Sequence, residues 1–182
     1  MRKISLLLFL FSLWSTLCFG DIFSNDASYT VCFSPEGRCT QPIVTAIYNA
    51  KKEILVQAFS FTNFPIAKAL VAAQKRGVDV EILLDKSAIV EPMYTVDYCR
   101  KHNLPIKIDY LPDIAHNKVM IIDDEITITG SFNFTKAADQ KNTENLLLIH
   151  DKILAAKYKN NWQKRTKLSL TLLEYISKYN QH

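Results

Sequence analysis

Two hydrophobic periods alternate along this chain, and the points where one replaces the other mark its elements. Residues 42–51, PIVTAIYNAK, carry their apolar positions at helical spacing, with Pro42 suited to the first turn. Residues 53–60, EILVQAFS, are a continuous apolar run of strand length. A second helix is predicted over 65–77, opened by Pro65 and stopped by Gly77. VDVEILLD, 78–85, reads as a strand; a loop and a third helix occupy about 87–102; PIKIDY, 105–110, is a short strand. The rhythm then changes. HNKVMIID and EITITGS are two strands joined across Asp123-Asp124-Glu125, a hairpin. A polar stretch, TKAADQKN, leads to another strand, NLLLIH. Residues 151–166 are helical, with Trp162 among the apolar positions, and LSLTLLEYISKY predicts one more helix at about 167–180. Strands interleaved with helices predict a single α/β domain built on a mixed β-sheet flanked by helices on both faces.

The N-terminus stands outside this pattern. Met1-Arg2-Lys3 supplies positive charge, ISLLLFLFSLWSTLCF is apolar, and Cys18-Phe19-Gly20 places small residues where a signal peptidase reads. Residues 1–20 are therefore expected to be a leader cleaved after Gly20, making the domain at 21–182 an exported bacterial protein, periplasmic or secreted. The run is short for a spanning helix, and an uncleaved anchor is the alternative. Leu17 lacks the small side chain that lipoprotein processing at Cys18 would want. Losing Arg2 and Lys3 reduces the net charge from +4 to +2, 20 basic against 18 acidic side chains. That is weak evidence for a polyanionic partner. The cluster Lys157, Lys159, Lys164, Arg165 and Lys167 reads first as a solvated helix face.

Export changes the reading of the cysteines, because it implies an oxidising compartment. Cys32 and Cys39 bracket the Pro/Gly turn FSPEGR and are the disulfide candidates; Cys99 is then free and buried. No CxxC pair or HExxH stretch is present, so no structural zinc and no other metal or cofactor is expected. The four glycines, Gly20, Gly37, Gly77 and Gly130, cannot write a phosphate-cradling P-loop or a GxGxxG turn.

The chemistry concentrates in the hairpin. Residues two apart on a strand share a face, so His116 and Lys118 point together while Asp123 points away. Ser131 and Asn133 share parity at the end of the second strand, and Thr143-Glu144-Asn145 opens the next. Lys118 offers a permanent charge to phosphate oxygens. Ser131 and Asn133 offer neutral donors that matter most as transition-state charge builds. His116 can be nucleophile or acid/base near neutral pH, and Glu144 could orient an imidazole. Each residue also has an ordinary reading: a surface lysine, a Ser or Asn capping the helix that follows, acidic turn residues in Asp123, Asp124 and Glu125. Only their combination points to a phosphodiester. His150-Asp151-Lys152 repeats His-x-Lys without Gly-Ser-x-Asn after it, and reads as a strand end running into a helix.

His116-x-Lys118-x4-Asp123 followed by Gly130-Ser131-x-Asn133 resembles the HKD signature of the phospholipase D superfamily. FSPEG, QAFSFT, ALVAAQKRGVDVEILLD, GSFNFTKAADQKNTEN and the Trp162 region are similar to its small bacterial endonuclease branch, the single-motif Nuc-type proteins. The resemblance runs from about Tyr29 to Trp162 and leaves the helix after about Thr166 without a counterpart. It implies a metal-independent phosphodiesterase in which one histidine attacks phosphorus, a second protonates the leaving oxygen, and water resolves the phosphohistidine. With one motif per chain, it implies a homodimer whose two-fold axis joins two copies of His116 and Lys118, with Ser131 and Asn133 on phosphate, Glu144 steadying a histidine, and Asp123 and Gly130 supporting local structure. Nucleic acid, DNA and possibly RNA, is the substrate this branch implies. Phospholipid is the alternative, and a non-catalytic nucleic-acid-binding module the second.

Overall fold

The computed structural model describes residues 20–89 and 93–179; the expected leader, Gly20 apart, lies outside them. Eight strands form one sheet: β1 (Ser28–Ser34), β2 (Glu53–Ala58), β3 (Asp79–Asp85), β4 (Ile106–Asp109), β5 (Lys118–Ile122), β6 (Ile126–Gly130), β7 (Glu144–His150) and β8 (Leu170–Thr171). Their spatial order is β1-β7-β6-β5-β2-β3-β4-β8. β2, β3 and β4 run parallel to one another, and every other pairing is antiparallel. Six helices, α1 (Thr40–Asn49), α2 (Phe64–Lys75), α3 (Tyr94–Lys101), α4 (Lys136–Gln140), α5 (Lys152–Lys167) and α6 (Leu172–Tyr179), complete the domain. The mixed sheet with helices on both faces is the architecture the periodicity predicts.

The strand runs at 53–60 and 78–85 show no polar alternation because both sheet faces are covered there. Ile54, Val56, Ile82, Leu84, Met120 and Ile122 enter the main core beneath α1, α2 and α3. Leu55, Leu83, Val119 and Ile121 face Ala155 and Trp162 of α5. Trp162 Nε1 donates to the carbonyl of Val56 at 3.0 Å, fastening α5 to the central strand. The helix starts follow capping chemistry. Asn63 accepts from the Ile66 amide at 3.3 Å ahead of Pro65, and Asp151 accepts from the Leu154 amide at 2.6 Å. His150-Asp151-Lys152 is thus a strand end and a helix cap. Among the described residues no helix is long and apolar enough to cross a membrane.

Two strands escape the sequence reading. β1 is an edge strand whose large residues face outward: Tyr29, Val31 and Phe33 are exposed, while Cys32 packs on the main core. Its pattern is inverted relative to an ordinary surface strand, so it does not announce itself as one. The tail is also subdivided. α5 continues to Lys167, Leu170–Thr171 pairs with β4, and only then does α6 begin. The break is legible afterwards as a capping box: Thr171 Oγ1 accepts from the Glu174 amide at 3.2 Å, and Glu174 accepts from the Thr171 amide at 2.8 Å.

Cys32 and Cys39 form a disulfide with Cα atoms 5.7 Å apart, tying the edge strand to the start of α1. The closed loop is short. Replacing both cysteines by serine is expected to lower stability by about 2 to 3 kcal/mol, read as a lower midpoint in urea; an unchanged midpoint would refute the contribution. Cys99 is free and buried, and burial pushes its thiol up to about 12. The basic cluster on α5 is largely answered inside the fold. Lys157 pairs with Asp21, Lys159 with Glu53 and Asp124, and Arg165 with Asp109 at 2.6 Å.

Candidate active site

β5 begins at Lys118, and its pairing with Ala58 of β2 places that side chain at the rim of the main core. Lys118 is only 7% exposed. Its Nζ donates to the carbonyl oxygen of His116 at 3.1 Å and lies 5.2 Å from the centre of the Phe59 ring. The His116 imidazole is exposed and sits 4.7 Å from the same ring. His116 and Lys118 thus meet on one side, as their spacing predicts, with Phe59 between them. The Phe59 amide also donates to the Asn117 carbonyl at 2.8 Å, fixing ring and loop together. Burial lowers the pKa of Lys118, while the negative charge of Glu144 pushes it back up. An ammonium short of solvent gains most from an anionic oxygen placed beside it.

The second half of the site follows from alternation after β6. Phe132 and Phe134 are fully buried, so Ser131 and Asn133 turn away from the core. Ser131 Oγ donates to Glu144 Oε2 at 2.6 Å and accepts from the Asn145 amide at 3.0 Å. The other Glu144 oxygen accepts from Asn142 Nδ2 at 3.1 Å. Within one chain, then, Glu144 engages Ser131 and Asn142. The His116 imidazole of the same chain lies against Phe59, tilted by 59°. Asn133 Oδ1 is buried and has no hydrogen-bond partner among the described residues. The capping alternative for Ser131 and Asn133 is set aside, since Thr135 Oγ1 accepts from the Ala138 amide and caps α4. Gly130 has a φ of +146°, and a Cβ there would lie 2.3 Å from the Asn145 carbonyl oxygen. Only glycine lets β6 close so tightly on β7 beside Ser131 and Glu144.

Asp123 lies at the far end of the hairpin. Asp123 and Asp124 take φ values of 56° and 60°, left-handed positions within the three-residue connection 123–125. The Asp123 carboxylate accepts from the amides of Lys51, Lys52 and Glu53 at 2.8, 2.7 and 3.0 Å. It fastens the hairpin to the start of β2, at the opposite end of β5 from His116.

Each chain brings one imidazole to this place. Among the other described histidines, His102 packs on Tyr98 in α3's end, and His150 closes β7 at the end opposite Glu144. No cluster of three or more metal-ligating side chains occurs among the described residues.

Residues 43–166 match the family described as cardiolipin synthase, phospholipase D-like domain. The chain belongs to the phospholipase D superfamily. Its members are phosphodiester hydrolases, and this chain is one of them. It is 43% identical to a phospholipase D of Rickettsia conorii over 141 residues, 78% of this chain and 70% of that one. Among solved structures it superposes on Nuc from Salmonella typhimurium, described as a phospholipase D family member, with a TM-score of 0.77 and 40% identity, covering 80% of this chain and 98% of that one. NucT from Helicobacter pylori gives a TM-score of 0.75 at 25% identity, covering 81% and 100%. The hairpin residues His116, Lys118, Asp123, Ser131 and Asn133 all lie within the matched range. The contact that motif reading did not supply is Phe59, whose only sequence signal is its place at the end of the apolar run leading out of β2.

Proposed function

We propose that this phospholipase D superfamily member is an exported endonuclease that cleaves nucleic acid at an active site shared by two copies of the chain. The observation that carries it is the single exposed imidazole beside a desolvated lysine and a hydroxyl–amide pair: half of the groups that phosphodiester cleavage through a covalent intermediate needs. In the complete site, a nitrogen of one His116 attacks phosphorus, the bond to the leaving oxygen breaks, and the partner's His116 donates its proton to that oxygen. Water then attacks phosphorus, gives its proton back to the partner's His116, and the phosphorus–nitrogen bond breaks. Lys118 from each copy, with Ser131 and Asn133, binds the phosphate oxygens as charge builds. Glu144 holds Ser131, and its role across the axis in this scheme is to steady an imidazole. This scheme needs no metal.

The uncovered sheet face supports the dimer. α5 packs mainly on β2, β4, β5 and β6. On the same face, Tyr29, Val31 and Phe33 of β1 are 73%, 45% and 62% exposed, opposite Ile149, Leu147 and Asn145 of β7. This apolar stripe ends beside Ser131, which accepts from Asn145. A second copy seated on it buries the stripe and reaches the site. Val31→Asp is therefore expected to give monomers by gel filtration and to lose most activity while keeping its circular dichroism spectrum; an active monomer would sink the shared site. Export is supported by the leader-like N-terminus and by the Cys32–Cys39 disulfide, which belongs in an oxidising compartment.

Nucleic acid is favoured by the likeness to Nuc and NucT; the Rickettsia relative named phospholipase D keeps phospholipid as the second reading. Purified protein lacking residues 1–20 is incubated with plasmid DNA, RNA and phosphatidylcholine vesicles in excess EDTA. Nicking of DNA or RNA supports the nuclease. Choline release without nicking supports the lipase reading and overturns ours.

A further inference from the structure

The polypeptide after Lys167 lies beyond the matched family domain, which ends at residue 166. It adds β8 to the edge of β4 and lays α6 alongside. Tyr175 and Tyr179 of α6, 4.7 Å apart, form a cluster with Tyr110, with ring centres 6.2 and 5.9 Å from it, and Lys178 Nζ sits 5.5 Å from the Tyr110 ring. Tyr110 is the first residue of the loop 110–117, which runs from β4 to β5 and carries His116. Four further ties hold that loop: the Phe59 amide donates to the Asn117 carbonyl, Lys118 Nζ donates to the His116 carbonyl, and two more lie upstream of His116. The Asp85 carboxylate, only 2% exposed, accepts from the Ala115 amide at 2.7 Å, one residue before His116. Lys86 Nζ donates to the Pro112 carbonyl at 2.9 Å. Asp85 is also near α6: burial, Tyr179 and the Asp85 charge all raise the Tyr175 phenol above its usual range.

We infer that β8 and α6 form a clamp that sets the position of His116, acting through Tyr110 and the loop it opens. The inference rests on the catalytic assignment of His116. Tyr110, Tyr175 and Tyr179 are positioning residues; none touches the site. The reasoning is geometric. The loop has eight residues and no secondary structure; Leu111 and Ile114 within it are exposed, while Tyr110 at its start and Ala115 near its end pack inward. Its start is held by a cluster of tilted tyrosine rings, and its end by the Asp85 carboxylate and by the contacts of Phe59 and Lys118 to the Asn117 and His116 carbonyls. Loosening the start lets the imidazole wander while Lys118, anchored in β5, stays in place. A displacement of about 1 Å at a reacting group can cost roughly 100-fold in rate, whereas phosphate binding through Lys118, Ser131 and Asn133 persists. A role limited to covering the β4 edge predicts loss of stability without such a split.

The test compares Tyr175→Ala, Tyr175→Phe and Tyr179→Ala in the full domain, with Leu173→Ala on the exposed side of α6 as control. The readouts are kcat and KM on bis(p-nitrophenyl) phosphate, and hydrogen exchange of peptides spanning 110–117. The expected result for Tyr175→Ala is a kcat lowered roughly 10- to 100-fold, KM within about twofold, and faster exchange in 110–117; Tyr175→Phe restores all three, because the ring and not the hydroxyl makes the contact. Tyr179→Ala, at the last turn and half-exposed, gives a smaller change of the same kind without opening the core. Unchanged exchange in 110–117 overturns the clamp, as does a lost kcat that Tyr175→Phe fails to restore. The exchange readout does not depend on activity, so it separates failure of the clamp from failure of the nuclease reading, which an active His116→Ala enzyme would mark.

Discussion

Replacing His116 by alanine is expected to lower phosphodiester cleavage by about 10³-fold or more while leaving the fold and the melting temperature unchanged. The side chain is exposed and its ring contacts only Phe59, so its removal opens no core cavity. In the proposed shared site the loss is large because both steps use it: one copy acts as nucleophile and the other as acid. Mixing makes the expectation sharper. If wild-type and His116→Ala chains are co-folded in equal amounts, a site needing both histidines leaves only wild-type pairs active, about a quarter of the total. Independent sites would leave about half. Activity that falls in proportion to the wild-type fraction, instead of its square, would refute the shared site even if the single substitution were inactive.

Asp123→Ala is expected to destabilise the domain by about 3 to 4 kcal/mol, since three backbone donors lose a charged acceptor and a left-handed backbone position loses a residue that tolerates it. Asp123→Asn keeps the turn and a neutral acceptor, and should cost about half as much. Surviving folded protein in either variant should turn over at the wild-type rate, because the carboxylate lies at the opposite end of β5 from His116. The effect has a pH signature. Partial burial pushes the Asp123 pKa up, but the amides of Glu53, Lys51 and Lys52 outweigh it and hold the carboxyl below the usual carboxylate range. A depressed folded pKa means the contribution is complete above the unfolded value of about 4 and disappears as pH falls through the folded value. Wild type and Asp123→Asn should therefore differ most in urea midpoint near neutrality and converge in acid. A gap that does not narrow as pH falls below the ordinary carboxylate value of about 4 would show that the charge is not what stabilises the turn.

Both predictions concern the same hairpin, and they show why a signature's letters need not share a role. The backbone period of two predicts His116 and Lys118 on one side and Asp123 on the other; the structure separates Asp123 from them by the length of β5, because it stands in the turn after Ile122 with a left-handed backbone. Gly130 marks the second junction. Its position is legible in Gly-Ser-x-Asn, but its reason, a carbonyl 2.3 Å from where a Cβ would stand, is visible only once β7 is paired beside it. Glu144 shows the limit from the other side. Its type and its place at a strand start suggested an imidazole partner; the register that brings β6 against β7 gives it Ser131 first.

Taken alone, the amino-acid sequence determined the strands and helices with strong periods, the hairpin, the division of faces within it, and the set of side chains able to act on a phosphodiester. These depend on neighbours along the chain, and local geometry settles them. Only the tertiary structure decided that β1 exists with its large residues outward, that Phe59 stands between His116 and Lys118, that Glu144 holds Ser131, and that the last helix grips the loop before His116. Each of these joins residues far apart in sequence through strand register or helix packing. That pairing is a global choice among buried surfaces, and no local period encodes it.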